Sequence, residues 1–316
     1  MAEELSGRIS STNPITKRKK AGLPHITAPL LVLFVLAAMH LSRYLLAGAA
    51  SGGNLLLSIS VIQIIVLAMP CMLYYLLRGR KLASPMPLSP IGLRHITLIL
   101  FSAMVFVSGS LLIRFGYQAL ASRSVDTSGF FDGLYSGEAD PSLAGVLLSF
   151  VIIPAVCEEL LFRGVLFAEY RALGEGNAIF ITAICFAMLH FSLTNFPVYL
   201  FAGILLGVVT AVSRSVIPAV LLHLISNTLN VFTSDRFLRI ILQKNGAFFV
   251  GFLLAVLFGA ALFLLFYSIE HLYLHYAVRP PDGSLPPKSR NAVVAVFLSP
   301  TFLLLAAVFL VIAALQ

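Results

Sequence analysis

Two adjacent glutamates, Glu158 and Glu159, interrupt a long apolar stretch of the sequence, and Arg163 follows shortly after them. A charge at bilayer depth costs about 2.5–3.5 kcal/mol, so charged residues in such a stretch point to a function. On a helix, Glu159 and Arg163 are one turn apart and can form an ion pair. Glu158 points about 100° away from Glu159 and has no partner in its own helix. We therefore interpret Glu158 as a candidate catalytic group.

Three further polar residues lie in apolar segments downstream of the glutamates. His190 follows Phe186 by one helical turn, and His223 shares a helix face with Asn227. Glu158 and His190 are equally far from the glycine-rich turn around residue 174, so an antiparallel hairpin places them at the same depth. We expect these polar groups to meet in the middle or inner half of the bilayer and to be reached from the cytoplasmic side.

This set of residues suits the hydrolysis of an amide bond by either of two routes. A shielded glutamate can take a proton from a water molecule and return it to a leaving amine, while His and Asn side chains donate to the oxyanion. Alternatively, Glu158, His190 and His223 are the three protein ligands of a catalytic Zn²⁺ with water in the fourth position. The residues alone leave both routes open.

The composition assigns the chain to integral, multi-pass membrane proteins. Hydrophobic residues make up 59% of the sequence and charged residues only 11%, which excludes a soluble globular enzyme. The net charge of +8 is interpreted as orientation charge facing an anionic inner leaflet, and not as a nucleic-acid surface. We expect the partners to be the lipid bilayer and a membrane peptide or protein, with a bacterial plasma membrane as the location.

Apolar runs of about 20 residues predict an all-α, polytopic transmembrane bundle. We expect about nine spans, or eight if the short run at 197–213 is re-entrant. The predicted spans are 26–46, 55–77, 96–117, 142–170, 177–193, 197–213, 216–234, 247–270 and 291–315.

The distribution of positive charge predicts a cytoplasmic N-terminus. Fifteen of the 21 Lys and Arg residues then fall in cytoplasmic segments, as expected for a chain oriented by its basic loops. The domain organisation is predicted as a cytoplasmic basic tail at 1–25, N-terminal helices with an outer loop at 26–135, a catalytic core at 142–234, and C-terminal helices at 247–316.

The motifs resemble, in order and spacing, those of the CPBP intramembrane proteases. This family includes the type II CAAX prenyl endopeptidases and the bacterial Abi or bacteriocin-immunity proteins. The resemblance covers about 142–234 and implies an intramembrane metallo- or glutamate-type endopeptidase. The matching residues are Glu158, Glu159 and Arg163 in the first motif, Phe186 and His190 in the second, and His223 and Asn227 in the third.

The resemblance also implies a role for each motif. Glu158 would activate water, and His190 would hold the water or a metal. His223 and Asn227 would stabilise the oxyanion or complete the metal site. Glu159, Arg163 and Phe186 would support them.

Two other classes of protein are consistent with the same residues. A non-proteolytic immunity or scaffold protein would keep the site for binding. A proton-coupled transporter would use Glu158 as a relay, but it predicts inverted repeats or paired broken helices, which the sequence lacks. The sequence does not identify the substrate or show whether it is prenylated.

Overall fold

The computed structural model describes most of the chain between residue 24 and residue 315, and this part is helical apart from short connections. One isolated antiparallel bridge joins Leu88 to Ser215. The predicted basic tail at 1–25 lies almost wholly outside the described residues. The described residues are 24–49, 55–78, 82, 85–121, 142–232, 247–276 and 290–315.

Ten helices account for this part of the chain, and two of them contain π-helical turns. Their bounds are α1 Pro24–Ala49, α2 Leu55–Arg78, α3 Arg94–Ala121, α4 Leu143–Leu173, α5 Glu175–Leu189, α6 Phe196–Ser213, α7 Val216–Phe232, α8 Ala247–Tyr276, α9 Arg290–Phe297 and α10 Pro300–Ala314.

The helices confirm an integral membrane protein of the all-α class. Eight of the nine predicted spans coincide with one helix each. The last span, 291–315, coincides with the two helices α9 and α10, which are interrupted just before Pro300. Six helices have the length and apolar composition needed to cross a bilayer. The other four are shorter: α5, α7 and α10 have 15, 17 and 15 residues, and α9 has 8. The count of about nine spans and the cytoplasmic N-terminus stay predictions.

One end of the bundle, which we call the basal end, joins α1, α2 and α4 through a polar cluster. The Tyr74 hydroxyl lies 3.1 Å from Thr27 Oγ1 and donates to Glu169 Oε1 at 2.8 Å. Arg78 completes the cluster with an ion pair of 2.8 Å to the same oxygen. Thr27 is near the start of α1, Arg78 ends α2, and Glu169 is five residues before Gly174. The basal end therefore contains the start of α1, the end of α2 and the turn at Gly174.

The opposite, apical end contains the end of α1, the start of α2 and the end of α5. There Ser60 and Ser149 lie 2.9 Å apart between their hydroxyl oxygens, and Ser149 also donates to the Leu56 carbonyl at 3.0 Å. These bonds fix α2 against α4 at the apical end, as the Tyr74 cluster does at the basal end.

Three π-helical turns widen the two helices that meet at the glutamate pair. One is Ile64–Ala68 in α2, and the others are Leu148–Ile152 and Leu160–Leu166 in α4, on either side of Glu158 and Glu159. The first two end just before Pro70 and Pro154, whose rings cannot fit against the carbonyl of a regular helix. Such turns re-aim the side chains beside them and are frequent at functional sites.

Close packing between α5 and α6 depends on two glycines. A Cβ placed on Gly203 would lie 2.8 Å from Ala183 Cα, and one on Gly207 would lie 3.0 Å from Ile179. Two small residues four positions apart are typical of such close helix packing in membranes. The contact brings the Gly203 backbone close to α5.

Candidate active site

A cavity of about 270 Å³ reaches from the apical end to Glu158. Residues of α1, α2, α4 and the end of α5 form its walls. They are Met39, Ser42, Arg43, Ile59, Ile62, Gln63, Glu158, Leu189, His190 and Phe191. The cavity thus joins the first-motif glutamate to the second-motif histidine, two residues whose meeting the hairpin argument predicts.

Glu158 lies at the inner end of this cavity and is 8% exposed. Its Oε2 atom is buried and has no hydrogen-bond partner within the described part of the chain. A buried carboxylate oxygen normally accepts a hydrogen bond, so an unpaired one is a candidate acceptor for water or substrate. No ion pair of Glu158 is described in the structure, whereas Arg163 forms one with Glu159.

One ring nitrogen of His190 is engaged in a hydrogen bond. Its Nδ1–H donates to the Phe186 carbonyl at 2.9 Å, because a carbonyl oxygen only accepts. The ring stacks on Tyr199 with centroids 3.8 Å apart and planes at 21°. In the neutral ring Nε2 is therefore the acceptor, available to a water proton or a metal ion.

The chain leaves His190 through a strained residue. Phe191 has a φ of 53°, in the left-handed region that a non-glycine residue rarely adopts. Its ring lies under the Arg43 guanidinium, with Cζ 4.9 Å from the centroid, and it lines the cavity. Strain of this kind costs on the order of 1–3 kcal/mol and is concentrated at functional sites.

Glu159 belongs to a separate, sealed network on the other side of α4. Its Oε1 atom accepts from Arg163 Nη1 and from His223 Nδ1, each at 2.8 Å. The Arg163 Nη2 group donates to the Gly203 carbonyl at 3.0 Å. Glu159 and Arg163 have no exposed side-chain surface, so the pair predicted from the one-turn spacing is confirmed as fully buried.

Phe186 separates the cavity from the sealed network. Its ring centroid is 4.8 Å from that of His190 and 5.8 Å from that of His223. The Arg163 guanidinium lies over the same ring, with Cζ 4.6 Å from the centroid, in a cation–π arrangement. The second motif thus places one aromatic ring in contact with residues of all three motifs.

The third motif is placed differently from the prediction. The only hydrogen bond described for the His223 side chain goes to Glu159, and neither His223 nor Asn227 lines the cavity. Asn227 is half-buried one turn further along α7. Glu158 and His190 share the cavity, while His223 contacts Phe186 and bonds to Glu159, so the single pocket of all four polar groups stays a prediction. The rotation of α7 about its axis, which the sequence does not determine, decides this.

The residues present do not form a three-ligand metal site in this arrangement. Among the described residues, no three His, Cys, Asp or Glu side chains converge as ion ligands. Glu158 and His190 offer two donors at the cavity, whereas His223 uses Nδ1 on Glu159. The predicted Zn²⁺ set of Glu158, His190 and His223 would require His223 to approach the cavity.

Sequence reasoning missed the polar residues that α1 and α2 contribute to the cavity. Arg43 and Gln63 both face it, and Gln63 Oε1 is buried without a described partner. Each is a polar residue within an apolar span, the same signal that singled out Glu158. The signal was present in the sequence, but no motif linked these residues to the site.

The position of the cavity bears on two predictions, the cytoplasmic N-terminus and the access to the site from the cytoplasmic side. The cavity walls include Arg43 near the end of α1, about 28 Å from its start at 1.5 Å per residue. A cytoplasmic N-terminus therefore places the mouth of the cavity on the far side of the membrane. The predicted cytoplasmic N-terminus and the predicted cytoplasmic access cannot both hold.

Comparisons with known proteins bear on the same part of the chain. Residues 140–229 match the family model described as type II CAAX prenyl endopeptidase Rce1-like. No curated protein matches the chain, and no solved structure does. The matched segment contains all three motifs, both glutamates and the turn between α4 and α5. Over these residues the chain is similar to the intramembrane CAAX-type proteases, which supports the resemblance to the CPBP family.

Proposed function

We propose that the protein is an intramembrane endopeptidase in which Glu158 activates water to hydrolyse a peptide bond of a membrane-associated substrate. The observation that carries the proposal is the unpaired Glu158 carboxylate oxygen at the inner end of the cavity that His190 also lines. The match of residues 140–229 to a prenyl endopeptidase family supports the reaction class.

The reaction uses the two sides of α4 in different ways. Glu158 takes a proton from water, and the resulting hydroxide attacks the carbonyl carbon of the substrate. His190 Nε2 accepts a hydrogen bond from the other O–H of that water and so orients it, since Nδ1 already donates to the Phe186 carbonyl. When the carbon–nitrogen bond breaks, the leaving nitrogen takes the proton back from Glu158.

The oxyanion formed in this step needs donors. We assign them to His223 and Asn227 on α7, which requires both side chains to approach the cavity and the His223 ring to donate through Nε2. Nε2 is the ring nitrogen left for this role, because Nδ1 lies 2.8 Å from Glu159 Oε1. Arg163 in turn holds Glu159 in place, which makes the sealed network a positioning device for the third motif.

The substrate class follows from the walls of the cavity. Half of its lining residues are apolar, while Arg43, Ser42 and Gln63 supply polar contacts beside the two motif residues. A volume of about 270 Å³ is at the small end for ligand pockets, so it accommodates a short peptide segment and not a folded domain. We propose a peptide of the lipid bilayer, in a bacterial plasma membrane, with a prenylated C-terminal peptide as the first class to test.

The direct test is cleavage by the purified protein reconstituted in lipid. The probes are a fluorogenic peptide ending in a CAAX sequence, with and without a farnesyl group, and a set of unmodified transmembrane peptides. Products are identified by mass spectrometry. We expect one bond to be cut in at least one probe, and Glu158→Gln to lower the rate by about 10²–10⁴-fold.

Glu175→Gln is the matched control, because it makes the same chemical change in a partly exposed ion pair with Arg171. It should leave the rate unchanged. Cleavage by Glu158→Gln at the wild-type rate would refute the assignment of the base and would favour a binding protein that retains the site.

Zn²⁺ held by Glu158, His190 and His223 is the alternative mechanism. The described arrangement offers no three converging ligands, so we expect cleavage to persist in chelator and purified protein to contain no stoichiometric metal. Loss of activity in chelator, with recovery on adding Zn²⁺, would establish the metal route instead.

A further inference from the structure

The cavity opens at the end of the bundle that lies opposite the start of α1. Its walls come from the last part of α1, the first part of α2 and the end of α5, all at the apical end. At the basal end, the cluster of Thr27, Tyr74, Arg78 and Glu169 holds α1, α2 and α4 together below the cavity. A substrate therefore reaches Glu158 from the apical side.

Positive charge marks the other end of the bundle. Arg78, Arg94, Arg171 and Arg214 all lie at helix ends or turns on the basal side. In the sequence, Lys17, Arg18, Lys19 and Lys20 immediately precede α1. Basic residues close to the ends of spans are retained on the cytoplasmic side of a membrane, so the basal end is the cytoplasmic end.

The sequence assigns six basic residues to the apical side, against fifteen on the basal side, so they do not offset this bias: Arg43, Arg114, Arg123, Arg236, Arg239 and Lys244. Arg43 lines the cavity and lies over the Phe191 ring, so it belongs to the site. Arg114 lies in the last two turns of α3. The loop between α3 and α4 also contains four acidic residues, Asp126, Asp132, Glu138 and Asp140, as expected for a loop translocated across the membrane.

Combining the two observations, we infer that the protein takes its substrate from the extracytoplasmic half of the membrane. The inference rests on the proposed endopeptidase function and names its substrate class: a peptide that has been exported or inserted, with the scissile bond near the outer leaflet. A lipid-modified protein that stays in the cytosol would approach the basal end. This replaces the expectation of access from the cytoplasmic side.

Depth along the helices supports the outer half as the place of cleavage. Gln63 is about 12 Å from the apical start of α2, and Arg43 is about 28 Å from the basal start of α1. In a hydrocarbon core about 30 Å thick, the cavity mouth is thus at the apical interface and Glu158 is near the midplane. A peptide needs to cross only half of the bilayer to reach the carboxylate.

Thiol labelling on sealed spheroplasts tests the side directly. Thr194→Cys introduces a thiol in the exposed apical turn after His190, and Ser89→Cys introduces one in the exposed basal segment. The three native cysteines are buried, so the wild-type chain is the blank for a charged, membrane-impermeant maleimide. We expect Thr194→Cys to label in sealed spheroplasts, and Ser89→Cys to label only after the membrane is opened.

The reverse pattern, or equal labelling of both variants in sealed spheroplasts, would overturn the inference. A second arm adds the CAAX and transmembrane peptides to one side of proteoliposomes whose orientation has been measured by the same labelling. Cleavage from the Thr194 side supports the inference, and cleavage from the Ser89 side overturns it. If no peptide is cut from either side, the endopeptidase proposal fails while the labelling still decides the side.

Discussion

The two faces of α4 around residues 158 and 159 differ in their surroundings, although the Oε2 atom of each glutamate is buried without a described hydrogen-bond partner. On the cavity face, Glu158 keeps one buried oxygen without a described partner, in a space large enough for water and peptide. On the sealed face, Glu159 accepts from both Arg163 and His223 and has no exposed surface. Phe186 separates the two environments.

This contrast teaches that a pair of identical neighbours can divide catalysis and architecture between them. The Oε1 atom of Glu159, which accepts from a guanidinium and an imidazole, is not available to a water molecule. A carboxylate without such partners can gain and lose a proton. The helical rotation of about 100° between adjacent residues is enough to place the two in different surroundings.

The comparison is tested most directly by making the same substitution at Glu158 and at Glu159. Glu159→Gln leaves Arg163 buried without its counter-ion, and breaking a buried pair costs about 3–5 kcal/mol. Glu158→Gln removes an unpaired charge and should keep or raise the thermal midpoint. Thermal unfolding of both variants in detergent measures the difference, with Glu175→Gln as the partly exposed control.

We expect only Glu159→Gln to lower the unfolding temperature strongly, whereas both variants lose activity. The two causes separate when activity is assayed well below the unfolding temperature. Equal unfolding temperatures for Glu158→Gln and Glu159→Gln would mean that the sealed network contributes no stability, and the division of roles proposed here would be wrong.

A smaller effect is expected where α6 supports the sealed face. Gly203→Ala places a Cβ 2.8 Å from Ala183 Cα and pushes away the carbonyl that accepts from Arg163. Over-packing of this kind costs about 1–3 kcal/mol. Gly176→Ala is the matched control in the same pair of helices, because a Cβ there meets nothing within 4 Å.

The free energy of unfolding, measured with denaturant or heat, should therefore be lower for Gly203→Ala than for the wild type. For Gly176→Ala it should equal or slightly exceed the wild-type value. The same stability for both alanine variants would show that α5 and α6 can separate without loss. The sealed face would then be more adaptable than its buried contacts suggest.

The smallest effect is expected at the mouth of the cavity. Arg43→Gln removes a cation that lines the cavity while keeping a long polar side chain. We expect KM for the peptide to rise about tenfold with kcat little changed, since binding is lost equally in ground and transition states. Arg94→Gln, an exposed change at the basal end, is the control and should alter neither constant.

An unchanged KM in Arg43→Gln would exclude Arg43 from substrate contact and would restrict the working surface to the residues of the family segment. A fall in kcat alone would instead indicate that Arg43 acts on Glu158 and not on the peptide. Either result would remove Arg43 from the residues that contact the substrate.

Local patterns in the sequence predicted what depends on one helix or one hairpin. The ion pair of Glu159 and Arg163 follows from one-turn spacing, and the shared depth of Glu158 and His190 follows from their distances to Gly174. Both quantities are fixed by the rise and the rotation of an α-helix. The positions of the helices were likewise predictable, because long apolar runs must be helical in lipid.

Relations between separate helices were not predictable in the same way. The bond between His223 and Glu159, and the inward direction of Arg43 and Gln63, depend on how each helix is rotated about its own axis. In a bundle surrounded by lipid, apolar residues cover every face of a helix, so periodicity indicates the inner face only weakly. The π-helical turns shift the register further, and single-residue spacing does not predict them.

Those π-helical turns have a consequence for the way this site can vary among related chains. Each holds one more residue per turn than a regular helix, so deleting a single residue from Leu148–Ile152 would restore α-helical winding without shortening α4 by a full turn. Because the wide turn absorbs its extra residue locally, the segments on both sides of the deletion would keep their orientation, and Glu158, Glu159 and their partners would stay where they are. The length of α4 can therefore change by one codon without turning the residues that flank this wide turn.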